Sequence, residues 1–407
     1  MEAKRERYTP NDVGPSPEEW AAPRLAEVST LITNGFVGTA TPYYTDETGI
    51  PYLYGTNVRA NKLDPTGIRY ITPEFHVAQS KTELKVGDLL TVQSGHIGET
   101  AVVTKELDGA NCHALIVTRL KQDMVFPQFL SYYMNSEIGR ARMTGLEVGS
   151  TILHINTKDL KKFRVLLPSL PEQKKISQTL STWDKAITTT EQLLVNSQQQ
   201  KKTMMQQLLT GKKRLLDDNG LRFNGEWHRV ELGSLLDYKQ PTPYLVESTE
   251  YSDAYATPVL TAGKTFILGY TNETSGIYQD DLPAIIFDDF TTAIKYVDFP
   301  FKAKSSAMKI LTAKKGLSIK YVFEAMQMMN YPVGGHQRHW ISIYSNLVIP
   351  LPEKEEQQKI AAALSTADRE ITALQKKLNA LKQEKKALMH QLLTGKRRVK
   401  LDDKEAA

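Results

Sequence analysis

The chain has 407 residues, of which 41% are hydrophobic, and a formal net charge of +5. This length predicts at least two domains with apolar cores of their own, while the single cysteine, Cys112, excludes a disulfide framework and a multi-cysteine zinc site. The N-terminal segment lacks the apolar stretch of a secretory signal, and no apolar run approaches the roughly 18–20 residues of a membrane span, so we predict a soluble, cytoplasmic protein.

A first variable block, residues 1–167, is predicted to be a mixed α/β domain with an N-terminal arm. Short apolar runs indicate strands over residues 88–92, 100–104 and 113–120, and a helical pattern covers residues 126–143. Polar stretches between these elements carry the residue types that contact bases and phosphates. The candidate DNA-binding residues of this block are Asn57, Arg59, Ser94, His96, Arg140, Arg142, Thr151 and His154.

A long helix is predicted to follow, over residues 168–214. Pro171 suits its first turn, where a missing N–H costs nothing, and Gly211 suits the left-handed position that ends a helix. This segment has a net charge of +5, whereas the first variable block is nearly neutral. Thr190, Ser197 and Lys201 weaken an apolar stripe with spacings typical of a coiled coil. The stripe includes Ile176, Leu180, Ile187, Leu194 and Leu208.

A second variable block, residues 215–351, is again predicted to be mixed α/β. Strands are indicated over residues 284–287 and 346–349, and a helix over residues 319–330. Adjacent residues of a strand point to opposite faces, so Asp288 and Asp289 are not expected to form a metal pair. One of them is expected instead to accept a hydrogen bond from a cytosine amine or to orient a nearby lysine. The candidate DNA-binding residues are Lys264, Thr291, Thr292, Lys295, Lys304, Ser305, Ser306, His336 and Arg338.

The last segment, residues 352–407, repeats the earlier helix and adds a short tail. Shifted by 184 residues, residues 168–214 and 352–398 are identical at 23 of 47 positions without a gap, which indicates a duplicated chain. Because one inserted residue rotates a helix by about 100°, a fixed length is typical of a spacer. Lys385 is the one polar intrusion in the second stripe, which includes Ile360, Leu364, Ile371, Leu378, Leu388 and Leu392.

Two such stripes predict a pair of helices. A single stripe cannot be buried alone, so we expect the two copies to pack antiparallel as a coiled coil and to relate the two halves by a pseudo-two-fold axis. About 40 residues at 1.5 Å each make a rod of roughly 60 Å. The predicted fold class is α+β, with two mixed α/β domains separated by the two long helices. An insertion near residues 198–200 is expected to lengthen the spacer.

We find no motif for catalysis or for metal binding. The sequence has neither a glycine-rich nucleotide loop nor the Asn/Asp-Pro-Pro-aromatic motif of adenine methylation. Asp64, Glu83 and Lys85 loosely imitate a metal-nuclease set, but this spacing is common by chance. His336 and His339 lack companions at zinc spacing. We therefore predict no catalytic residue and no metal site, and a recognition protein rather than an enzyme.

Motifs in both halves resemble the specificity (S) subunits of type I restriction-modification systems. They are Glu-Gln-x-Lys-Ile at residues 172–176 and 356–360, and Leu-Leu-Thr-Gly-Lys at residues 208–212 and 392–396. Trp20 and Trp227, each five residues before a leucine, resemble the start of that family's target recognition domains. Residues 87–98 resemble its mid-domain segment, whereas the second block departs from that pattern after residue 287 and resembles a different subtype.

The resemblance implies a DNA-recognition subunit without catalytic activity of its own. Each target recognition domain would read one half of a bipartite, asymmetric DNA target, and the helix pair would set the unread gap and dock two methyltransferase (M) subunits. S-adenosylmethionine would bind in the M subunits, which methylate adenine N6, and ATP and Mg²⁺ would bind in restriction (R) subunits. The two domains are expected to read different bases.

The residues alone leave two alternatives open. A stand-alone, two-headed DNA-binding regulator or decoy would need no partner and would bind its target tightly by itself. An intrinsic nuclease would depend on carboxylates such as Glu83 or Asp288. The S-subunit interpretation instead predicts weak binding by the isolated chain, which an M subunit rescues.

Overall fold

The structure, a computed structural model, describes residues 8–9, 16–145, 154–261, 263, 265–329 and 339–401. Contacts divide the chain into two compact units, the first formed by residues 1–189 and 378–407 and the second by residues 190–377. Each unit therefore combines one variable block with part of both repeated helices. Within the described ranges, no helix is long and apolar enough to cross a bilayer.

The first unit consists of short strands, short helices and the beginning of a long helix. Its described strands are β1 (Tyr8–Thr9), β2 (Ser16–Pro17), β3 (Ser29–Asn34), β4 (Tyr44–Thr45), β5 (Ile50–Leu53), β6 (Val58–Arg59), β7 (Lys62–Leu63), β8 (Arg69–Ile71), β9 (Leu89–Val92), β10 (Thr100–Val102), β11 (Asn111–Cys112) and β12 (Leu115–Leu120). Its described helices are α1 (Pro73–Ala78), α2 (Pro127–Asn135), α3 (Glu137–Thr144), α4 (Thr157–Leu160) and the first part of α5 (Leu170–Leu208).

The centre of the first unit is an antiparallel sheet in the order β10-β9-β12-β3. Both central strands are rich in leucine, isoleucine, valine and threonine and are almost fully buried. Because successive side chains point to opposite faces, Leu89 and Ile116 join a core with α2 and α5, whereas Leu90 and Val117 join a second core with β5 and β11. Those two strands run parallel in a smaller sheet with the order β11-β5-β8-β4.

The single helix predicted over residues 126–143 is wrong, because the structure divides it into α2 and α3. Ser136, between them, has an extended backbone, and its hydroxyl accepts the N–H of Gly139 at 3.1 Å, which caps α3. A Cβ on Gly139 would lie 2.1 Å from the carbonyl oxygen of Tyr133. The close approach of α3 to the end of α2 therefore requires a glycine.

The second unit contains the remaining elements. Its described strands are β13 (His228–Glu231), β14 (Leu236–Lys239), β15 (Thr257–Leu260), β16 (Ile267–Thr271), β17 (Ala284–Asp288), β18 (Ile294–Val297), β19 (Lys302–Ala303), β20 (Met308–Ala313) and β21 (Val348–Leu351). Its described helices are α6 (Leu232–Leu235), α7 (Ile319–Gln327), α8 (His339–Ser342) and most of α9 (Lys354–Leu393), whose end belongs to the first unit. The strands predicted from the sequence are confirmed, with ends that differ by one or two residues, as β9, β10, β12, β17 and β21.

The second variable block repeats the strand plan of the first. Its main sheet has the order β14-β20-β17-β18, which matches β3-β12-β9-β10 strand for strand. The parallel pair of β15 and β19 matches that of β5 and β11. The same hydrogen bond follows each pair, from His113 N to Leu53 O at 2.8 Å and from Lys304 N to Leu260 O at 2.9 Å. His113 and Lys304 therefore occupy one equivalent position of the fold.

The two long helices run antiparallel within each unit. In the first unit Glu172 of α5 binds Arg398, just beyond the end of α9, and Asp184 binds Lys385. In the second unit Lys201 binds Asp368 at 2.5 Å. Asp184 and Asp368 are the same position of the repeat, as are Lys201 and Lys385. The lysines that interrupt the apolar stripes thus form the ion pairs that join the helices, and the predicted fold class is confirmed.

The predicted apolar stripe is only partly a seam between helices. Near the helix ends, its residues are buried in the cores of the variable blocks, namely Ile176, Leu180 and Leu392 in the first unit and Leu208, Ile360 and Leu364 in the second. Elsewhere Leu194 and Leu378 are buried, whereas Ile187, Ile371 and Leu388 keep part of their surface exposed. The ends of the helices therefore hold the variable blocks as well as each other.

A glutamate, an arginine and a tryptophan form an anchor in each unit. The second anchor consists of Glu356, Arg214 and Trp227: the guanidinium binds both carboxylate oxygens at 2.6 and 2.7 Å and lies 5.4 Å from the centre of the indole ring. The first anchor repeats this set with Glu172, Arg398 and Trp20. The Arg398 guanidinium binds the two carboxylate oxygens of Glu172 at 2.6 and 2.9 Å and lies over the Trp20 ring. Such bidentate pairs are among the stronger hydrogen bonds in proteins, so the anchors explain why these residues occur in both halves.

A repeated glutamine joins each variable block to its helix. The Gln173 side chain accepts the N–H of Phe126, which precedes α2, and donates to the carbonyl of Pro168, which precedes α5. Gln357 makes the equivalent bonds with Ser318 N and Pro352 O at 3.0 and 2.8 Å. Both glutamines are buried, so these bonds satisfy polar groups that water does not reach.

Candidate nucleic-acid interface

Loops of the first variable block meet at one edge and enclose a cleft of about 620 Å³. Because β5 and β11 are parallel, the residues that follow them lie side by side, and the loop between β9 and β10 lies beside both. We call this surface the first loop edge. It is lined by Tyr44, Tyr54, Gly55, Thr56, Gly67, Arg69, Val92, Ser94, Gly95, His96, His113 and Ala114.

One wall of the cleft is aromatic. The Tyr54 and His113 rings lie 4.8 Å apart at 31°, and the Tyr54 hydroxyl shares a short hydrogen bond with that of Tyr44. The Arg69 guanidinium lies 5.7 Å from the centre of the Tyr44 ring. From behind, the Tyr52 hydroxyl lies 3.3 Å from Nδ1 of His113. These contacts hold the rings in place before anything binds.

Burial sets the protonation of this wall. It raises the pKa of the Tyr54 phenol, and the hydrogen bond with Tyr44 raises it further. Burial lowers the pKa of His113 below its usual 6.5. At neutral pH the tyrosine and the histidine are therefore uncharged groups that donate or accept hydrogen bonds, and Arg69 supplies positive charge.

The opposite wall is the hairpin loop between β9 and β10. Ser94, Gly95 and His96 are exposed at its tip. The base of the loop is fixed by the bond from Gly98 N to Val92 O at 2.9 Å and by the bond from the Gln93 amide to Asn34 at 2.7 Å. The loop therefore presents a hydroxyl and an imidazole from a rigid support.

The equivalent edge of the second block carries different side chains. Thr261 follows β15 and Lys304 follows β19, in the places that Tyr54 and His113 take in the first block. Ser305 and Ser306 are exposed beside them. We call this surface the second loop edge, and it includes the hairpin loop of residues 288–293 between β17 and β18.

The hairpin loop of the second loop edge is tightly held. The Asp288 carboxylate accepts the N–H groups of Phe290 and Thr291 at 2.8 and 3.0 Å, and Thr292 takes a left-handed backbone with φ of 59°. The Phe290 ring is 46% exposed at the tip. Beneath the loop, buried Asp289 lies 3.5 Å from Lys309, which agrees with the expectation that one of these aspartates orients a lysine.

Two lysines of the second block lie over aromatic rings. Nζ of Lys295 is 5.8 Å from the centre of the Phe266 ring, and Nζ of Lys304 is 5.8 Å from that of Tyr251. Both side chains are partly exposed. The ring contacts orient the ammonium groups at modest cost in solvation, which suits them to contacts with phosphates.

The predicted DNA-binding residues fall into four groups. Those that the structure brings to the loop edges are Ser94, His96, Thr291, Thr292, Lys304, Ser305 and Ser306, with Lys295 nearby on β18. Two others are exposed or half-buried elsewhere, Arg59 on β6 and His154. Four lie outside the described residues, namely Thr151, Lys264, His336 and Arg338.

Two of the three remaining candidates have structural partners that account for them. Asn57 is buried, and its amide donates to the carbonyls of Asp64 and Thr66. The Arg142 guanidinium binds the Tyr133 hydroxyl and the Arg164 carbonyl. Arg140 is half-buried close to Gly98, and among the described residues its Nη1 has no hydrogen-bond partner. We leave Asn57 and Arg142 out of the proposed interface.

Sequence reasoning missed Tyr44, Tyr54, Arg69 and His113. They are spread over 70 residues and belong to no motif, so only the fold brings them together. His113 follows β11 and Lys304 follows β19, and in each block the next strand is the buried central strand β12 or β20. The position just before a long apolar run was therefore a usable signal. Among the described residues, no three of the histidine, cysteine, aspartate and glutamate side chains are grouped to hold a metal ion.

The chain matches a known family of DNA-recognition proteins. The model of the type I restriction modification DNA specificity domain matches residues 17–196 and 224–383, which is most of the chain. The chain therefore belongs to this family, and the resemblance to S subunits is confirmed.

Individual relatives support this assignment. The specificity subunit of the type I restriction enzyme EcoR124I/EcoR124II from Escherichia coli is 51% identical over 165 residues, which are 39% of each protein. The putative type I restriction enzyme MjaX specificity subunit from Methanocaldococcus jannaschii is 25% identical over an alignment of 435 residues that covers 98% of both. The match thus spans under half of the first relative and nearly all of the second.

Solved structures share the fold at low identity. The type I restriction-modification S subunit from M. genitalium has a TM-score of 0.62 and 14% identity, and the match covers 94% of this chain and 97% of that one. A chain from a structural study of complex assembly and conformational transition of the type I R-M system has a TM-score of 0.51 and 16% identity, and the match covers 94% and 99% of the two chains.

Proposed function

We propose that the chain selects DNA sequence for a type I restriction-modification enzyme, and that each loop edge reads one half of a bipartite, asymmetric target. M subunits that bind S-adenosylmethionine would methylate adenine N6 at sites this chain selects, and R subunits with ATP and Mg²⁺ would cut. The chain itself supplies no catalytic group in this proposal.

One observation carries the proposal: an equivalent edge is built twice from the same strand plan and carries different side chains. Tyr54, His96 and His113 mark the first edge, and Thr261, Thr291 and Lys304 mark the second. Each base pair presents its own pattern of donors and acceptors in the major groove, and a protein reads it with complementary side chains. The two loop edges have the same strand plan but different exposed side chains, which suits them to two different half-sites.

The free energies of base recognition are consistent with two DNA-binding domains of modest affinity on one chain. A mismatched base pair costs roughly 1–3 kcal/mol, so several bases per half give strong discrimination. Joining two readers raises the effective concentration of the second once the first has bound. In this proposal the long helices set the unread gap and offer exposed surface to two M subunits, while Lys201 and Lys385 are held in ion pairs.

Genome-wide mapping of N6-methyladenine tests the proposal in cells that carry or lack this chain together with its M partner. We expect a bipartite motif that disappears with the chain. His96→Ala is expected to relax one half of that motif, and Lys304→Ala the other half, because they lie on different edges. Methylation that is unchanged without the chain would refute the proposal. Tight, specific binding by the isolated chain would support the stand-alone regulator instead.

A further inference from the structure

We propose that the cleft of the first loop edge receives a single nucleobase turned out of the DNA duplex. This inference rests on the proposed DNA-recognition function and adds a ligand to one of its two edges. The cleft is open to solvent and has a volume of about 620 Å³, which is room for one base. Ser94 and His96 of the exposed loop tip line it.

The walls of the cleft match a planar aromatic ligand. Proteins that hold an extruded base stack it on aromatic side chains and read its edge by hydrogen bonds. Here the Tyr54 and His113 rings, 4.8 Å apart, and the Tyr44 ring provide the aromatic surface. The rings are braced by the hydrogen bond of Tyr54 with Tyr44 and by the approach of Tyr52 to His113. Such preorganised rings lose little entropy when a base stacks on them.

The polar groups also suit a base that is attached to a phosphate backbone. The tyrosine hydroxyls, the Ser94 hydroxyl and the two histidines donate or accept hydrogen bonds without adding negative charge. Arg69 places a cation at the same cleft, where it can meet the phosphate of the extruded nucleotide. Among the described residues that line the cleft, none is acidic. Gly95 has no neighbouring atom within 4 Å of the position of a Cβ, which keeps that wall open.

The second loop edge provides an internal comparison. At the equivalent positions, Thr261 replaces Tyr54 and Lys304 replaces His113. At these two positions the second edge therefore lacks the aromatic pair on which a base would stack. Its own aromatic groups are Phe290 at the hairpin tip and Tyr251, whose ring centre lies 5.8 Å from Nζ of Lys304. We infer that base extrusion is confined to the half-site read by the first block.

Fluorescence of 2-aminopurine tests the inference, since this base analogue brightens when it leaves the stack. The full chain, assembled with its M subunits, is bound to duplexes that carry the mapped target and one 2-aminopurine at successive positions of either half-site. The adenine that is methylated is left unlabelled. We expect a several-fold rise at one position in the half-site of the first block and none in the other half-site.

Variants separate stacking from hydrogen bonding. Tyr54→Leu is expected to abolish the rise, whereas Tyr54→Phe keeps the ring and is expected to keep most of it. Thermal unfolding of both variants checks that the first unit is folded.

Three results would contradict the inference or the proposed function, and they lead to different conclusions. Sequence-specific binding with no brightening at any position of the first half-site overturns the inference and leaves the proposed function intact. Absence of a bipartite methylation motif in cells that carry the chain and its M partner, or persistence of that motif in cells that lack the chain, overturns the proposed function itself. Brightening that persists in Tyr54→Leu assigns the extruded base to another protein surface and also overturns the inference.

Discussion

At the scale of single residues, the two anchors differ in one hydrogen bond of their tryptophans. Nε1 of Trp227 donates to Glu356 at 2.9 Å. Nε1 of Trp20 is buried, and no described residue accepts its hydrogen. The same three residue types therefore stabilise the two units to different degrees, because a hydrogen bond to a carboxylate is stabilising, whereas a buried donor without a partner is destabilising.

Replacement of each tryptophan measures this difference. Trp227→Phe is expected to lower the free energy of unfolding by about 1.5–3 kcal/mol more than Trp20→Phe, because both lose ring area but only the first loses a bond to a carboxylate. Urea unfolding of the two variants, followed by circular dichroism, gives the comparison. Equal losses would show that the indole bond adds nothing to the anchor.

His113 is expected to make the stability of the first unit depend on pH. Its pKa is lowered in the folded state by burial, so the unfolded chain binds more protons once the pH falls below about 6.5. The contribution of neutral His113 is complete above that pH and is lost as the pH falls toward the folded-state value. Denaturant unfolding between pH 7.5 and 5 (roughly the titration range of histidine) is expected to show a shallower decline in His113→Asn. An identical dependence of stability on pH in the wild-type protein and in His113→Asn would contradict the lowered pKa of His113.

At the scale of elements, the break between α2 and α3 depends on one glycine. Gly139→Ala places a Cβ 2.1 Å from the Tyr133 carbonyl oxygen and is expected to cost about 1–3 kcal/mol or more. The matched control is Gly145→Ala at the end of α3, where the nearest atom is 3.4 Å from the new Cβ and φ is −67°. Differential scanning calorimetry of both variants checks the contrast. A stable Gly139→Ala protein would mean that the helices can separate at little cost.

A second prediction at the scale of elements concerns insertions into the two long helices. On the two long helices, Ser197 lies 3.1 Å from Glu370 and Lys201 binds Asp368. An insertion between residues 198 and 200 would move Lys201 away from Ser197 along α5, so that the two contacts could not form in one register. Paired insertions of four residues after Thr189 and after Lys377 fall at the boundaries of the units and spare the ion pairs of both. Four residues add about 6 Å and return the helix to nearly the same face.

Methylation mapping of the paired insertion tests whether the helices set the gap. We expect both half-sites to be unchanged and the gap to lengthen by roughly two base pairs, since successive pairs are about 3.4 Å apart. A single insertion between residues 198 and 200 serves as the contrast and is expected to lower stability. Altered half-site bases with an unchanged gap would rule out the spacer role.

At the scale of the whole molecule, the two variable blocks are expected to act independently. Each is joined to the helices of its own unit through an anchor and a buried glutamine. Residues 215–351 can therefore be exchanged for the corresponding block of a related S subunit if Trp227 is kept as the partner of Arg214 and Glu356. We expect the exchange to change one half of the methylated motif only, and a change in both halves in the methylation map would contradict independent reading.

The duplication was visible in the sequence because the same residues recur at a fixed spacing in both halves, and because the end of a helix depends on nearby residues. The helix stop at Gly211 is confirmed by its φ of 71°, as left-handed geometry favours glycine. The identity of Glu172 with Glu356 and of Lys201 with Lys385 pointed to a shared role, but not to which partner each binds. Polar residues in an apolar stripe looked like weak positions, and only the antiparallel register showed that they pair.

The sequence by itself determined the family, the duplicated plan, the long helices and most strands, because these follow from motifs, periodicity and spacing along the chain. Only the tertiary structure decided which side chains form the loop edges. Tyr54, His96 and His113 are brought together by the parallel pairing of β5 with β11 and by the hairpin that crosses the same sheet edge. Pairing between distant strands is set by packing of the whole block, so no local pattern records it. For the same reason Asn57, a plausible base reader by residue type, proved to be a buried partner of two backbone carbonyls.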